Sequence, residues 1–239
     1  MTGRAFTFTI TGLLLLALLR LGGPAESADS PAGPLAGLSR EQGNGSRFKM
    51  YNEGNTYDLQ VGLIRVDTSA GRVVIEVFAE SMMSDPLWQQ FRLSAKGSRP
   101  TVEAGYIQVG NQAPMRLPDT LLSGMGNLDM SFFLLSEAEL QSNAKKDGPK
   151  SLGQEKLQTP AGAVTCSHFR LERSGQQLDF WVSDAARPIG LVRMVSVGKK
   201  PNDNYKLELQ ELLSGIAAKI DPAKAGPLSE EMKSILTRR

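Results

Sequence analysis

Cysteine and histidine are almost missing from these 239 residues: there is one of each, Cys166 and His168. A lone cysteine closes no disulfide within the chain, so the fold must rest on a buried core rather than on covalent staples. About 200 residues suffice to bury one. One thiol and one imidazole also fall short of the Cys- and His-rich donor sets of zinc centres, and no metal or other cofactor is expected. An excess of charge of one sign is lacking too. The 27 Lys and Arg stand against 25 Asp and Glu, which gives no electrostatic case for nucleic acid.

Long apolar runs are absent but for one. Arg4 precedes the stretch Ala5 to Leu19, with its block Leu13-Leu14-Leu15-Leu16-Ala17-Leu18-Leu19, and Gly22-Gly23-Pro24 follows. A charged start, an apolar centre and small residues at its end make up a secretory leader. The run is shorter than the roughly 20 residues that span a bilayer, and Thr7, Thr9 and Thr11 dilute it. Residues 1–27 are therefore expected to direct export to the periplasm or the exterior, with cleavage near Glu26 or Ala28. Loss of Arg4 and Arg20 would leave the mature chain close to neutral. No cysteine follows the run, so no thioether lipid anchor is expected, and contact with a membrane would be peripheral at most.

Residues 28–46 carry Pro31, Pro34 and several glycines with few large apolar groups, the composition of a flexible tether. One β-rich domain is expected over 47–239. Leu59, Val61 and Leu63, then Val73, Ile75, Val77 and Ala79, recur with a period of two around the turn residues Asp67 to Gly71, which predicts a hairpin. Trp88, Phe91 and Leu93 mark a further strand, and Val102 to Val109 another. Helical spacing of Leu128, Phe132 and Leu135 predicts one or two short helices over 119–142, lying across the sheet. Five more strands are expected near 152–158, 163–172, 177–183, 189–197 and 204–213, then a helix from Leu228 to Leu236.

Several strands are apolar on both faces. Leu178, Phe180 and Val182 oppose Trp181, while Ile189, Leu191, Val195 and Val197 oppose Val192 and Met194. A sheet wet on one side would alternate cleanly. The fold expected is mainly β, a curved antiparallel sheet forming an unclosed barrel under a helical lid. Such a shape either encloses an apolar cavity or packs solid. If there is a cavity, its candidate lining is Trp88, Phe91, Phe132, Phe133, Phe180, Trp181, Val192 and Met194.

The stretch Thr159-Pro160-Ala161-Gly162, Cys166-x-His168-x-Arg170, Phe180-Trp181-Val182-Ser183-Asp184 and Pro188-x-Gly190-Leu191-Val192 resembles a group of bacterial envelope proteins of unassigned role. That group is similar in outline to the lipoprotein-localisation carriers of the periplasm, whose unclosed β-barrel is plugged by helices. The resemblance implies a carrier-like shape. Its specific part covers Gln158 to Val197.

Chemistry has few candidates. Cys166 and His168, two apart on a strand, point to one face with Cβ atoms about 7 Å apart, the only thiol–imidazole pair available to a nucleophilic mechanism. A small, apolar-flanked cysteine is more at home in a core, and no catalytic residue is assigned. Asp179 and Asp184 flank Trp181 on opposite faces and cannot share a site; Asp184 reads as a turn residue. Two functions remain: a non-catalytic binder of a lipid, acyl chain or lipoprotein in the envelope, or an envelope interaction and assembly factor with protein partners and no small ligand.

Overall fold

The computed structural model describes residues 38–80, 85–94, 101–125, 149–173, 175–199 and 201–237. The leader, most of the tether, and the expected helical stretch beyond Met125 lie outside them, as do Phe132 and Phe133. The chain is built on one 12-stranded sheet that does not close. In chain order the strands are β1 (Gly45–Asn52), β2 (Asn55–Asp67), β3 (Arg72–Ala79), β4 (Leu87–Ser94), β5 (Thr101–Val109) and β6 (Met115–Arg116). After the gap come β7 (Lys150–Thr159), β8 (Gly162–Arg173), β9 (Gln176–Val182), β10 (Leu191–Val197), β11 (Tyr205–Leu213) and β12 (Gly226–Pro227). The order across the sheet is β12-β6-β5-β4-β3-β2-β1-β11-β10-β9-β8-β7. Two short helices, Asp119–Met125 and Glu230–Thr237, accompany it among the described residues.

Local chemistry sets the turns. Glu53 and Gly54 both take positive φ (48° and 80°) in the two-residue connection of β1 and β2, the geometry that matches the twist of paired strands. The Asp67 carboxylate accepts from Ser69 Oγ at 2.7 Å and from Ala70 N–H at 2.9 Å, closing the β2–β3 turn as its sequence predicted. After β9, Ser183 rather than Asp184 caps the turn, its Oγ accepting from Ala185 N–H. Asp184 instead pairs with Arg187 at 2.8 Å. Gly190 closes this turn through a 2.8 Å bond from Ser183 N–H to its carbonyl.

Ordered structure begins upstream of residue 47. Leu38–Glu41 form a 3-10 turn, and Gly43 N–H donates to the Leu63 carbonyl at 2.8 Å. Ser46 is buried within β1. The tether composition therefore extends into residues that the sheet captures through their backbone.

Apolar side chains form rows across the strands. One runs Phe169, Phe180, Met194, Leu207, Met50 and Tyr57, each directly opposite the next. A second runs Leu209, Phe48, Leu59, Ala79, Leu87 and Val109. These rows belong to one contiguous cluster, joined by Leu122 of the first helix and by Leu228 and Met232 near the C-terminus. Gly105 makes room for the helix: a Cβ there would lie 2.8 Å from the Leu122 side chain and 2.9 Å from that of Leu117.

The opposite face of β1 to β4 is crossed by the chain after β11. Ile216 N–H donates to Gly43 O at 2.7 Å, and its side chain lies against Gly45 and Gly62. Farther along, the Glu76 carboxylate accepts from Lys219 N–H (2.8 Å), Ile220 N–H (3.0 Å) and Gln90 Nε2 (3.1 Å). Gln90 also donates to Ile220 O. The strap ends as β12, paired parallel to β6.

Candidate functional site

The alternation that buries one face of β8 to β11 lines up polar groups on the other. His168, Trp181, Arg193, Glu208, Lys49 and Asp58 stand opposite one another in a row across six strands. At its β8 end the His168 and Trp181 rings stack with centroids 4.2 Å apart, and the Arg193 guanidinium lies 5.9 Å from the Trp181 ring. Glu208 binds Arg193 Nη2 at 2.7 Å and Lys206 Nζ at 2.9 Å. Lys206 in turn sits 5.4 Å from the Tyr51 ring centroid.

His168 is held from two sides. Its Nδ1 is 3.3 Å from Glu155 Oε1 on β7, and its Nε2 is 3.2 Å from Asp179 Oδ1 on β9. Asp179 also accepts from Arg170 Nε (2.7 Å) and Gln177 Nε2 (2.7 Å). Burial pushes the Asp179 carboxyl up, but hydrogen bonds from Arg170, Gln177 and His168 outweigh it, and its pKa lies below the ordinary value. The same contest, burial against Lys206 and Arg193, leaves the Glu208 pKa lowered.

The hairpin of β7 and β8 curls over this row. Its far end runs past the last residue of β9, since Val182 pairs with Ser167. Glu155 accepts from Trp181 Nε1, and the Gln158 carbonyl, on β7, lies 3.5 Å from Arg193 Nη2 on β10. A flat sheet would hold those strands too far apart for an arginine to bridge. Cys166, opposite Glu155 in this hairpin, is 1% exposed, with Sγ 3.5 Å from the Val164 carbonyl.

Of the six described candidate lining residues, Phe91, Phe180, Val192 and Met194 belong to one buried cluster and Trp181 packs against it. Phe91, Phe180 and Met194 are buried on the apolar face. Trp181 is on the polar face, in the row with His168 and Arg193. Trp88 packs on Phe78 at 4.8 Å, in register across β3 and β4, on the face that carries Glu76 and Gln90. Strand parity thus places both tryptophans off the main apolar face, although Trp181 still packs against the edge of the cluster. Val192 is fully buried, but at a bulge between Leu191 and Arg193 that also turns Leu191 inward, so the expected opposition of Leu191 to Val192 does not hold. Val197, on the same expected face as Leu191, is exposed. Glu155, Arg193 and Glu208 carried no signal within their own strands; only cross-strand register assembles them.

Among the described residues no group of three His, Cys, Asp or Glu side chains is placed to hold a metal ion. Among them, too, no helix is long and apolar enough to cross a membrane.

These features define a mainly β protein on one unclosed sheet, with an apolar and a polar-laddered face. No family model and no curated protein matches the sequence. Among solved structures it is similar to a Bacteroides fragilis protein described as exported and as having a YmcC-like fold (13% identity, 72% of this chain, 95% of that chain, TM-score 0.38). It is also similar to a chain of the Pseudomonas aeruginosa MucA/MucB complex (12% identity, 90% of this chain, 61% of that one, TM-score 0.35). A DUF1329 family protein of Desulfovibrio piger is a third (8% identity, 81% and 96% covered, TM-score 0.34). The chain thus spans less than two thirds of the chain it matches in the MucA/MucB complex. At these TM-scores the likenesses transfer no ligand, partner or residue role.

Proposed function

We propose that this protein is an exported, non-catalytic binder of a hydrophobic group, such as a lipid, an acyl chain or the acyl part of a lipoprotein, in the cell envelope. The observation that carries the reading is the unclosed sheet backing one continuous apolar cluster, which spans both halves from Phe169 to Val109. Hydrocarbon admitted to such a cluster would be held by its removal from water and would need no charged partner. The leader expected at residues 1–27 would supply the address. Burial of Cys166 and engagement of both His168 nitrogens fit a role without a nucleophile. Native mass spectrometry of protein purified from the envelope of a bacterial host tests the reading. A co-purified lipid mass that dissociates on activation is expected; protein that is bare in every preparation, and stays bare after incubation with phospholipid, would contradict it.

The second reading, an assembly factor that pairs with other proteins, draws on β7. This ten-residue strand ends the sheet and is exposed over Lys150 to Lys156, whereas the strand at the other end is only two residues long, the end of the strap itself. Its bulge between Ser151 and Gly153, with Lys150 and Lys156, is the usual protection of an edge against pairing, so the first reading is preferred.

A further inference from the structure

We propose that His168 is a proton-operated clasp that fastens the β7–β8 hairpin across the polar face when the imidazole is protonated and loosens it when the proton leaves. The case rests on donor counting. Nε2 shares a hydrogen bond with Asp179 at 3.2 Å and Nδ1 lies within ion-pair distance of Glu155 at 3.3 Å, so each ring nitrogen faces a carboxylate oxygen, which can only accept. Imidazolium donates from both nitrogens. Neutral imidazole donates from one and turns a lone pair toward the other carboxylate, whichever tautomer forms. The arrangement is complete only with the ring charged, and histidine is the side chain whose charge ordinarily changes between pH 5 and 8.

The surroundings decide which contact gives way. Asp179, from β9, is fixed by Arg170 and Gln177 as well, and its side chain is 11% exposed. Glu155, from β7, is 46% exposed and has only His168 and Trp181 Nε1 as partners on this row. Arg170 on β8 is directed to Asp179, and Arg193 on β10 to Glu208 on β11, so neither cation replaces His168 beside Glu155. Loss of the proton therefore frees the Glu155 side. Trp181 remains stacked on a neutral ring, while β7 loses one of the two side chains that hold Glu155. Beneath this end of the hairpin lie Leu157 and Cys166, both buried. Opening exposes the chain's single thiol. The proposal does not depend on what the apolar face binds.

Hydrogen exchange of the full chain at pH 5.5 and pH 8, corrected for intrinsic rates, tests it. Amides of residues 154–166 are expected to lose roughly fivefold in protection at the higher pH, the size of one partly exposed ion pair, while β1 to β5 do not change. In His168→Gln the step should vanish, and at pH 6 its Cys166 should react with a maleimide faster than wild type. Glu155→Gln, a change at an exposed side chain, should also abolish the step, which keeps the test open should His168→Gln fail to fold. A step that persists in either folded variant, that spreads over the whole sheet, or that is absent from the wild type would overturn the clasp.

Discussion

Replacing Glu76 by alanine is the perturbation that bears hardest on how the strap after β11 is tied to the sheet. The carboxylate is 3% exposed and accepts three hydrogen bonds: two strap amides, at 2.8 and 3.0 Å, and Gln90 Nε2 at 3.1 Å. Its loss would leave Ile220 N–H without its acceptor in a buried site, since Ile220 and Gln90 are themselves buried. Lys219 N–H is only partly buried and can turn to water. Gln90 Nε2 keeps the Ile220 carbonyl. An orphaned buried donor costs about 1–3 kcal/mol, and a lost bond to a charged acceptor about 1.5–3. Relief of the desolvation cost of Glu76 offsets part of this, so a net destabilisation of roughly 3 kcal/mol is expected. Urea unfolding followed by circular dichroism would read it as a lowered midpoint. Hydrogen exchange would show deprotection concentrated at residues 216–222. A shift of less than about 0.5 kcal/mol, or loss of protection spread evenly over the sheet, would refute the idea that this carboxylate pins the strap.

Two further predictions concern packing and pH. Gly45→Ala should destabilise far more than Gly62→Ala in the same unfolding assay: a Cβ at 45 meets the Val61 carbonyl oxygen at 2.4 Å, whereas at 62 it meets side-chain carbons alone, those of Ile216 at 3.2 and 3.3 Å and Ile64 at 3.6 Å. Equal losses would mean that the β1–β2 backbone yields easily. Asp179 and Glu208 have lowered folded pKa values, so the stability they contribute is present above their unfolded values, about 4, and is lost as pH falls through the folded ones. The urea midpoint should drop below about pH 4, and the drop should be shallower in Asp179→Asn or Glu208→Gln; identical acid limbs in wild type and variants would contradict the assignment.

Much of the sheet was legible because a period of two needs only the strand itself. The strands expected at 163–172 and 204–213 match β8 (Gly162–Arg173) and β11 (Tyr205–Leu213) within about a residue. Strand β1 was hidden by its neighbours: glycines at 43 and 45 and the polar run before Phe48 read as tether, yet their backbone is paired on both sides. The bulge at Val192 was invisible, since one extra residue changes the facing of everything before it without disturbing the apolar pattern. The strap lacks periodicity because it is held by backbone amides on Glu76, a carboxylate more than 140 residues away in the chain. For the candidate site, alternation already set Trp181 opposite Phe180; what a single strand cannot show is that partners on β7 and β10 give Trp181 its polar row.

The claim that the sheet serves a hydrophobic ligand meets its most direct test in equilibrium displacement of a fluorescent acyl probe by unlabelled fatty acids of increasing length. Hydrocarbon transfer contributes about 0.8 kcal/mol per buried methylene, so affinity should climb with chain length until the binding surface is filled, and depend little on salt. Displaceable binding with that length dependence is the predicted result. No displaceable binding of any acyl probe, or binding that is indifferent to chain length and falls with added salt, would contradict it.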